Sequence, residues 1–342
     1  MTVSEAIARP VRVGLIGAGR IGTSHAEVLA RRVPGAQLVA VADPRSEAAL
    51  TLASQFGARA LTPAELFDDP EVEAVVIAAS VEAHVSLIEA ATRAGKAVFC
   101  EKPMGLTLDE IDRAIGSAQS AGVALQVGFN RRFAQDFAAA RQLIADGAIG
   151  TPQLLRSLTR DPGLANPAAV PPWTVFLQTL IHDFDTLLWL NAPANPVSVY
   201  AVADALVAPD FKSKGLLDTA VVVITFDNGA IATAEANFSA AYGYDVRAEI
   251  FGSAGMITAG DGRRSATVLY DRSGEHVDTA RSDVELFIDA YTAEFVEFVD
   301  AVREKRAPSV GGVDARRALE IALACIESVQ ASAPVVISGS GR

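Results

Sequence analysis

Cysteine is nearly missing from this chain: its 342 residues hold two, Cys100 and Cys325, far apart and in no paired metal spacing. That argues against a disulfide framework and a structural zinc site, and makes a reducing cytoplasm the expected compartment. Positive charge is also short. Lysine and arginine total 29 against 41 acidic residues, a formal net charge of −12, so neither nucleic acid nor anionic lipid is an expected partner. Residues 1–12 carry Glu5 and Arg9 and lack the apolar core of a signal peptide. Residues 162–181 are free of charge, but Pro162, Pro167, Pro171 and Pro172 forbid a continuous helix, and Asn166 and Gln178 add polar cost. No membrane span is expected, and the protein reads as soluble. What remains is globular material, 50% hydrophobic and 20% charged, long enough for two domains.

In the first part, short runs rich in Val, Ile and Ala (12–16, 37–42, 74–79, 97–100 and 124–127) alternate with amphipathic segments (21–32, 46–56, 84–94 and 108–120). This is the pattern of a parallel sheet covered by helices. Thr107 is placed to cap the last of those helices, and Gly35, Gly57, Gly95 and Gly122 fall where the helices should stop. After about residue 130 the pattern changes. Helices at 133–145 and 175–190 precede strand-like runs at 197–205, 219–226, 230–238, 246–251 and 266–270, with Asp227-Asn228-Gly229 as a hairpin signal. Helices at 287–305 and 313–332 and a short strand at 335–338 close the chain. The expected fold class is α/β: a doubly wound, Rossmann-type parallel sheet over residues 1–128, then an α+β domain over 129–342 with a mostly antiparallel open sheet.

Gly17-Ala18-Gly19-Arg20-Ile21-Gly22 follows the first strand and opens the first helix. In such a fingerprint the first glycine permits a tight turn, the second lets a pyrophosphate approach the backbone, and the third allows close helix–strand packing. Asp43 closes the second strand, the position from which a carboxylate accepts ribose hydroxyls and repels a 2′-phosphate, favouring NAD over NADP. Arg45, two residues on, is a group that could bind that phosphate. Ser80, His84, Glu101 and Lys102 complete the candidate cofactor contacts.

Cys100-Glu101-Lys102-Pro103 leaves the end of a parallel strand, where ligands bind in such sheets. A lysine there can stabilise an alkoxide as hydride departs. His182, one of only four histidines, stands in an otherwise apolar helix and has the chemistry to take a hydroxyl proton near neutral pH. His25 and His84 read as structural or cofactor-adjacent, and His276 as a surface turn.

The GAGRIG fingerprint, Glu101-Lys102-Pro103, Gly128-Phe129-Asn130-Arg131-Arg132-Phe133, Ile181-His182-Asp183, and Tyr242-Gly243-Tyr244-Asp245 leading to Phe251-Gly252-Ser253 together resemble the Gfo/Idh/MocA oxidoreductases, most closely their bacterial inositol 2-dehydrogenases. The resemblance implies NAD-linked oxidation of a ring secondary alcohol, by default myo-inositol to 2-keto-inositol. Lys102 would polarise the hydroxyl and His182 would accept its proton. Arg131 would contact the polyol, one of Tyr242 and Tyr244 would face it, and Thr179 joins them as a candidate. A homotetramer joined through second-domain sheets is also implied, and the chemistry needs no metal.

One departure stands out. Similar inositol dehydrogenases carry an aspartate four residues before the histidine, one helical turn away on the same face, where this chain has Gln178. The glycine-rich approach to that helix is replaced by Pro171-Pro172-Trp173, whose indole is a candidate for stacking on a sugar face or for anchoring the loop. Three readings therefore stand: a cyclitol dehydrogenase, a related sugar or glycoside dehydrogenase, and a non-catalytic NAD(P)-sensing regulator on the same scaffold.

Overall fold

A computed structural model describes residues 9–337. Most of the N-terminal segment read as lacking a signal sequence, and Ser338 of the expected last strand, lie outside the described residues. By contacts the chain divides into two compact units: the residues up to Asn130 together with Asp289–Arg316, and Arg131–Ile288 together with the chain from Arg317 onward.

The first run of the chain is built from β1 (Val11–Ile16), α1 (Arg20–Arg31), β2 (Ala36–Ala42), α2 (Ser46–Phe56), β3 (Arg59–Leu61), α3 (Pro63–Asp68), β4 (Ala74–Ile77), α4 (Val81–Arg93), β5 (Ala97–Cys100), α5 (Leu108–Ala121) and β6 (Leu125–Val127). Its strands pair in parallel in the order β3-β2-β1-β4-β5-β6. That order reverses direction between β1 and β4, which is the switch point of a doubly wound sheet. The central strands have no solvent face: Val13, Leu15, Val75, Val76, Val98 and Phe99 are fully buried, as a sheet covered on both sides requires. Thr107 caps α5 as expected, in a reciprocal capping box with Glu110, and Gly122 ends that helix in the left-handed conformation. The short β3–α3 unit has no counterpart among the expected elements. Three strand residues and six helical ones give too little periodicity to read, although Thr62 and Glu65 form a second capping box.

The second unit contains α6 (Gln135–Ala145), β7 (Pro152–Arg160), α7 (Leu180–Leu190), β8 (Pro196–Asp204), β9 (Thr219–Phe226), β10 (Ile231–Asn237), β11 (Asp245–Gly252), β12 (Met256–Ala259) and the hairpin of β13 (Arg263–Asp271) and β14 (Gly274–Thr279). α8 (Asp283–Glu304), kinked at Phe287, carries the chain into the first unit, and α9 (Gly312–Ala331) brings it back to β15 (Val335–Val336). The seven-stranded sheet runs β12-β11-β7-β10-β9-β8-β15, antiparallel throughout except where β10 pairs with β7. One face of it is covered by α7, which packs on β7 and β10. The other face is open and carries Leu154, Val202, Val221, Ile231 and Phe251, each exposed by more than two-fifths. His276, expected in a turn, lies on β14 and is exposed.

Candidate active site

The candidates of the first unit gather beyond the carboxyl ends of its parallel strands, in the turns there or, for Arg20, Ile21, Gly22 and His84, in the first turns of the helices that follow. Gly17 follows β1, Asp43 follows β2, Ser80 follows β4, and Glu101 and Lys102 follow β5. The fingerprint glycines are each tied to a physical constraint. Gly17 has φ +110°, and a Cβ there would stand 2.3 Å from the Ala78 carbonyl oxygen. A Cβ on Gly22 would stand 1.9 Å from the Gly17 carbonyl, so α1 can start against the turn only with glycine at that place. Gly19, by contrast, has open space around the missing Cβ, and no side chain caps α1. Backbone amides at a helix start with room in front of them suit a pyrophosphate.

Asp43 is already engaged by its neighbours. Its Oδ2 accepts a hydrogen bond from the Ala18 amide (2.8 Å), and its Oδ1 accepts from the Arg45 amide (2.9 Å) and Arg45 Nε (3.2 Å). Burial pushes this carboxyl up, but the amides of Ala18 and Arg45 and the Arg45 charge outweigh it, and its pKa lies below the ordinary value. The carboxylate therefore ties the end of β2 to the glycine turn, and its remaining lone pairs are what ribose hydroxyls could use.

Glu101 is similarly committed. It is 7% exposed; Oε1 meets His25 Nε2 at 2.6 Å and Oε2 accepts from the Lys102 amide at 3.1 Å. Burial alone would raise its pKa, yet the hydrogen bond with His25 and the adjacent Lys102 charge bring it below the usual range. Lys102 is half-buried, and its peptide to Pro103 is cis. His84, 2% exposed, has Nδ1 at 2.8 Å from the Pro103 carbonyl oxygen and Nε2 at 3.1 Å from that of Ala79, so it ties the turn after β5 to the turn after β4. Desolvation depresses its pKa against the pull of those two carbonyls, and as a neutral ring it donates to only one of them. Cys100 is wholly buried and its thiol is pushed well up, so it is no nucleophile.

In the second unit α7 presents His182, half-buried, among two buried ion pairs. Arg131 is 2% exposed; its Nη1 donates to Asp183 Oδ1 (2.8 Å) and its Nη2 to Thr159 Oγ1 (2.5 Å). Ser157 and Thr159, from β7, donate to the same aspartate at 2.6 and 2.7 Å. Arg132 holds Asp185 through two bonds of 2.9 and 2.5 Å. The arginine expected to reach the polyol thus has both terminal nitrogens bonded to inward partners, and Arg131 and Arg132 together clamp α7.

The approach to His182 also differs from a regular helix. Val175–Thr179 form one π-helical turn before α7, so Gln178 stands in a wide turn instead of an α-helical one. Trp173, immediately upstream, has φ +61°, a strained value for a bulky residue, and its amide donates to the Gly215 carbonyl at 3.2 Å. Gln178 and Trp173 are half-buried, and Thr179 is buried.

The two tyrosines separate clearly. Tyr242, 53% exposed, gives its hydroxyl to Asp245 Oδ2 at 2.7 Å and receives Arg160 Nη1 at 3.4 Å. Tyr244 has its phenol pushed well up by burial, with Asp161, Arg131, Asp283 and Asp183 as its charged surroundings. The charges of Arg131 and Asp183 thus act on Tyr244, while Tyr242 is tied to Asp245 and Arg160, and both tyrosines line one cavity.

Comparison with known proteins bears directly on this arrangement. Residues 11–129 match the oxidoreductase family model for an NAD-binding Rossmann fold, and residues 141–337 match that family's C-terminal alpha/beta domain. The chain belongs to the Gfo/Idh/MocA oxidoreductase family. Among its Gfo/Idh/MocA relatives, a myo-inositol 2-dehydrogenase of Thermotoga maritima is 36% identical over 94% of this chain and 96% of that protein. A scyllo-inositol 2-dehydrogenase (NAD(+)) of Bacillus subtilis is 35% identical over 95% of this chain and 96% of its own. The crystal structure of scyllo-inositol dehydrogenase from Lactobacillus casei with NAD(H) and scyllo-inositol superposes with a TM-score of 0.92 at 25% identity, covering 97% of this chain and 100% of that one. Among the described residues no helix is long and apolar enough to cross a membrane.

Proposed function

We propose that this protein is an NAD-dependent dehydrogenase that oxidises a ring secondary alcohol of a cyclitol, with myo-inositol to 2-keto-inositol as the default reaction. The observation that carries the reading is full-length likeness to inositol dehydrogenases in a chain that has both Lys102 after β5 and His182 on α7. Lys102 donates a hydrogen bond to the substrate hydroxyl and stabilises the negative charge that grows on its oxygen. His182 takes the hydroxyl proton, and Gln178 supplies a neutral hydrogen-bonding group on its approach. The nicotinamide, when bound, accepts the hydride. Tyr244 and Thr179 face the polyol, Trp173 closes the approach, and Arg131 acts by holding Asp183 and so α7.

Asp43, held ionised between Ala18 and Arg45, supports NAD over NADP. The open apolar sheet face supports a homo-oligomer, a tetramer by likeness to the family; light scattering that returns a monomer would remove that part. A sugar or glycoside substrate is the second reading, favoured by Gln178 and by the strained Trp173 loop. The deciding test is a panel of inositols, aldoses and glycosides with NAD and with NADP, followed by absorbance of the reduced cofactor. Reduction with inositols and NAD is the expected result. Reduction only with sugars selects the second reading, and cofactor binding without turnover selects a sensor.

A further inference from the structure

Behind the turn that carries Lys102, four elements of the first unit bring a set of polar side chains together in the core. His25 of α1, Gln126 of β6 and Glu294 of α8 are fully buried, and Glu101 follows β5. Their surroundings are aromatic: the His25 ring stands edge-on to Phe99, Tyr291 and Phe295 at centroid distances of 5.9, 5.5 and 4.9 Å. The set is linked. His25 Nε2 meets Glu101 Oε1 at 2.6 Å, and Gln126 Nε2 donates to the Glu294 carbonyl oxygen at 2.8 Å. Four further buried polar atoms, His25 Nδ1, Gln126 Oε1 and both carboxyl oxygens of Glu294, have no hydrogen-bonding protein partner. Such atoms rarely stay unpaired in a native core, and ordered water is the usual bridge.

Counting donors decides how that bridge works. When neutral His25 donates from Nε2 to the Glu101 carboxylate, its Nδ1 is an acceptor, and Gln126 Oε1 is another. An ionised Glu294 would add two more acceptors beside an existing carboxylate and no donor at all. A protonated Glu294 contributes a hydroxyl, and water supplies the rest. Burial, reinforced by the negative charge of Glu101, pushes the Glu294 carboxyl well above the usual carboxylate range, in the same direction.

We propose that Glu294 is a positioning residue: as a neutral acid it joins His25 and Gln126 through ordered water into a buried network that holds the Glu101 carboxylate, and with it the Glu101–Lys102 turn. Its effect on turnover rests on Lys102 being the polarising group; its effect on cofactor affinity rests only on Glu101 and the turn.

The test uses the full-length enzyme and two substitutions at Glu294. Glu294→Leu should raise the NAD dissociation constant and lower kcat, each by on the order of 10-fold, through misplacement of the turn. Glu294→Gln keeps a neutral donor and acceptor in nearly the same shape, and should restore most of both losses. Difference infrared spectroscopy should show a protonated-carboxyl C=O band in the wild type that Glu294→Gln lacks. Gln126→Leu, which removes an acceptor from the same network, should move both parameters in the same direction and keeps the test open if Glu294→Leu does not fold. The proposal is overturned by absence of the infrared band, by Glu294→Gln being as impaired as Glu294→Leu, or by folded Glu294→Leu or Gln126→Leu with unchanged affinity and kcat. Should Lys102→Met retain turnover, the Lys102 reading fails, while the effect of Glu294→Leu on NAD affinity still decides this proposal.

Discussion

The nucleotide end of the first unit and the α7 neighbourhood of the second are built on different principles. At Gly17, Gly19 and Gly22 what matters is the absence of side chains, because backbone atoms must approach each other or leave room. Around α7 what matters is side-chain pairing, since Arg131–Asp183 and Arg132–Asp185 are buried charges that hold each other. A site made of backbone tolerates almost no change at its glycines and much change around them. A site made of buried pairs can instead lose function through loss of fold, so substitutions there must be read by stability as well as by rate.

Substitutions can break this contrast, and the largest effect is expected at Lys102. Lys102→Met should lower kcat by on the order of 10²–10³-fold while the NAD dissociation constant changes little, because it removes charge stabilisation at the reacting oxygen. A loss confined to KM would put Lys102 in substrate binding alone. Arg131→Met should destabilise the fold by about 3–5 kcal/mol, the usual cost of leaving one member of a buried pair unpaired, measured by denaturant unfolding. Unchanged stability with a raised KM for the polyol would return Arg131 to the substrate.

Gln178→Asp should move the acidic limb of the kcat/KM profile upward by about 1 pH unit. The sign follows from charge: a carboxylate near His182 favours its protonated form, raises its pKa, and so requires a higher pH to produce the base. An unmoved profile would mean that the wide turn at Val175–Thr179 carries residue 178 away from the imidazole. The smallest effect is expected at Asp43. Asp43→Ser, with Arg45 retained, should narrow the preference for NAD over NADP by roughly tenfold through relief of like-charge repulsion. An unchanged ratio of kcat/KM values would show that Arg45 already neutralises that carboxylate.

Much of the first unit was legible in the sequence, because a parallel sheet buries near-continuous Val and Ile runs and its glycines sit at strand ends. β7 was not. Its covered face carries Ser157 and Thr159, which serve Asp183, and its open face carries Arg156 and Arg160, so the apolar alternation that marks a strand is missing. The addition of residues 289–316 to the first unit was hidden for another reason: it is a contact between segments far apart in sequence, with no local signal. Composition could not show that the Tyr242 hydroxyl is committed to Asp245, or that burial pushes the Tyr244 phenol up. The GFNRRF motif likewise gave no local sign that Arg131 bonds Asp183 and Thr159, partners far off in the sequence.

The central claim is direct hydride transfer from a ring carbon to the cofactor, and isotope transfer tests it most directly. Wild-type enzyme is mixed with NAD and myo-inositol deuterated at the carbon bearing the reacting hydroxyl, and the reduced cofactor is analysed by mass spectrometry. Stoichiometric deuterium in NADH, with slower reduction than for unlabelled substrate, is the predicted result. NADH free of deuterium, or no reduction with any cyclitol, would contradict the account.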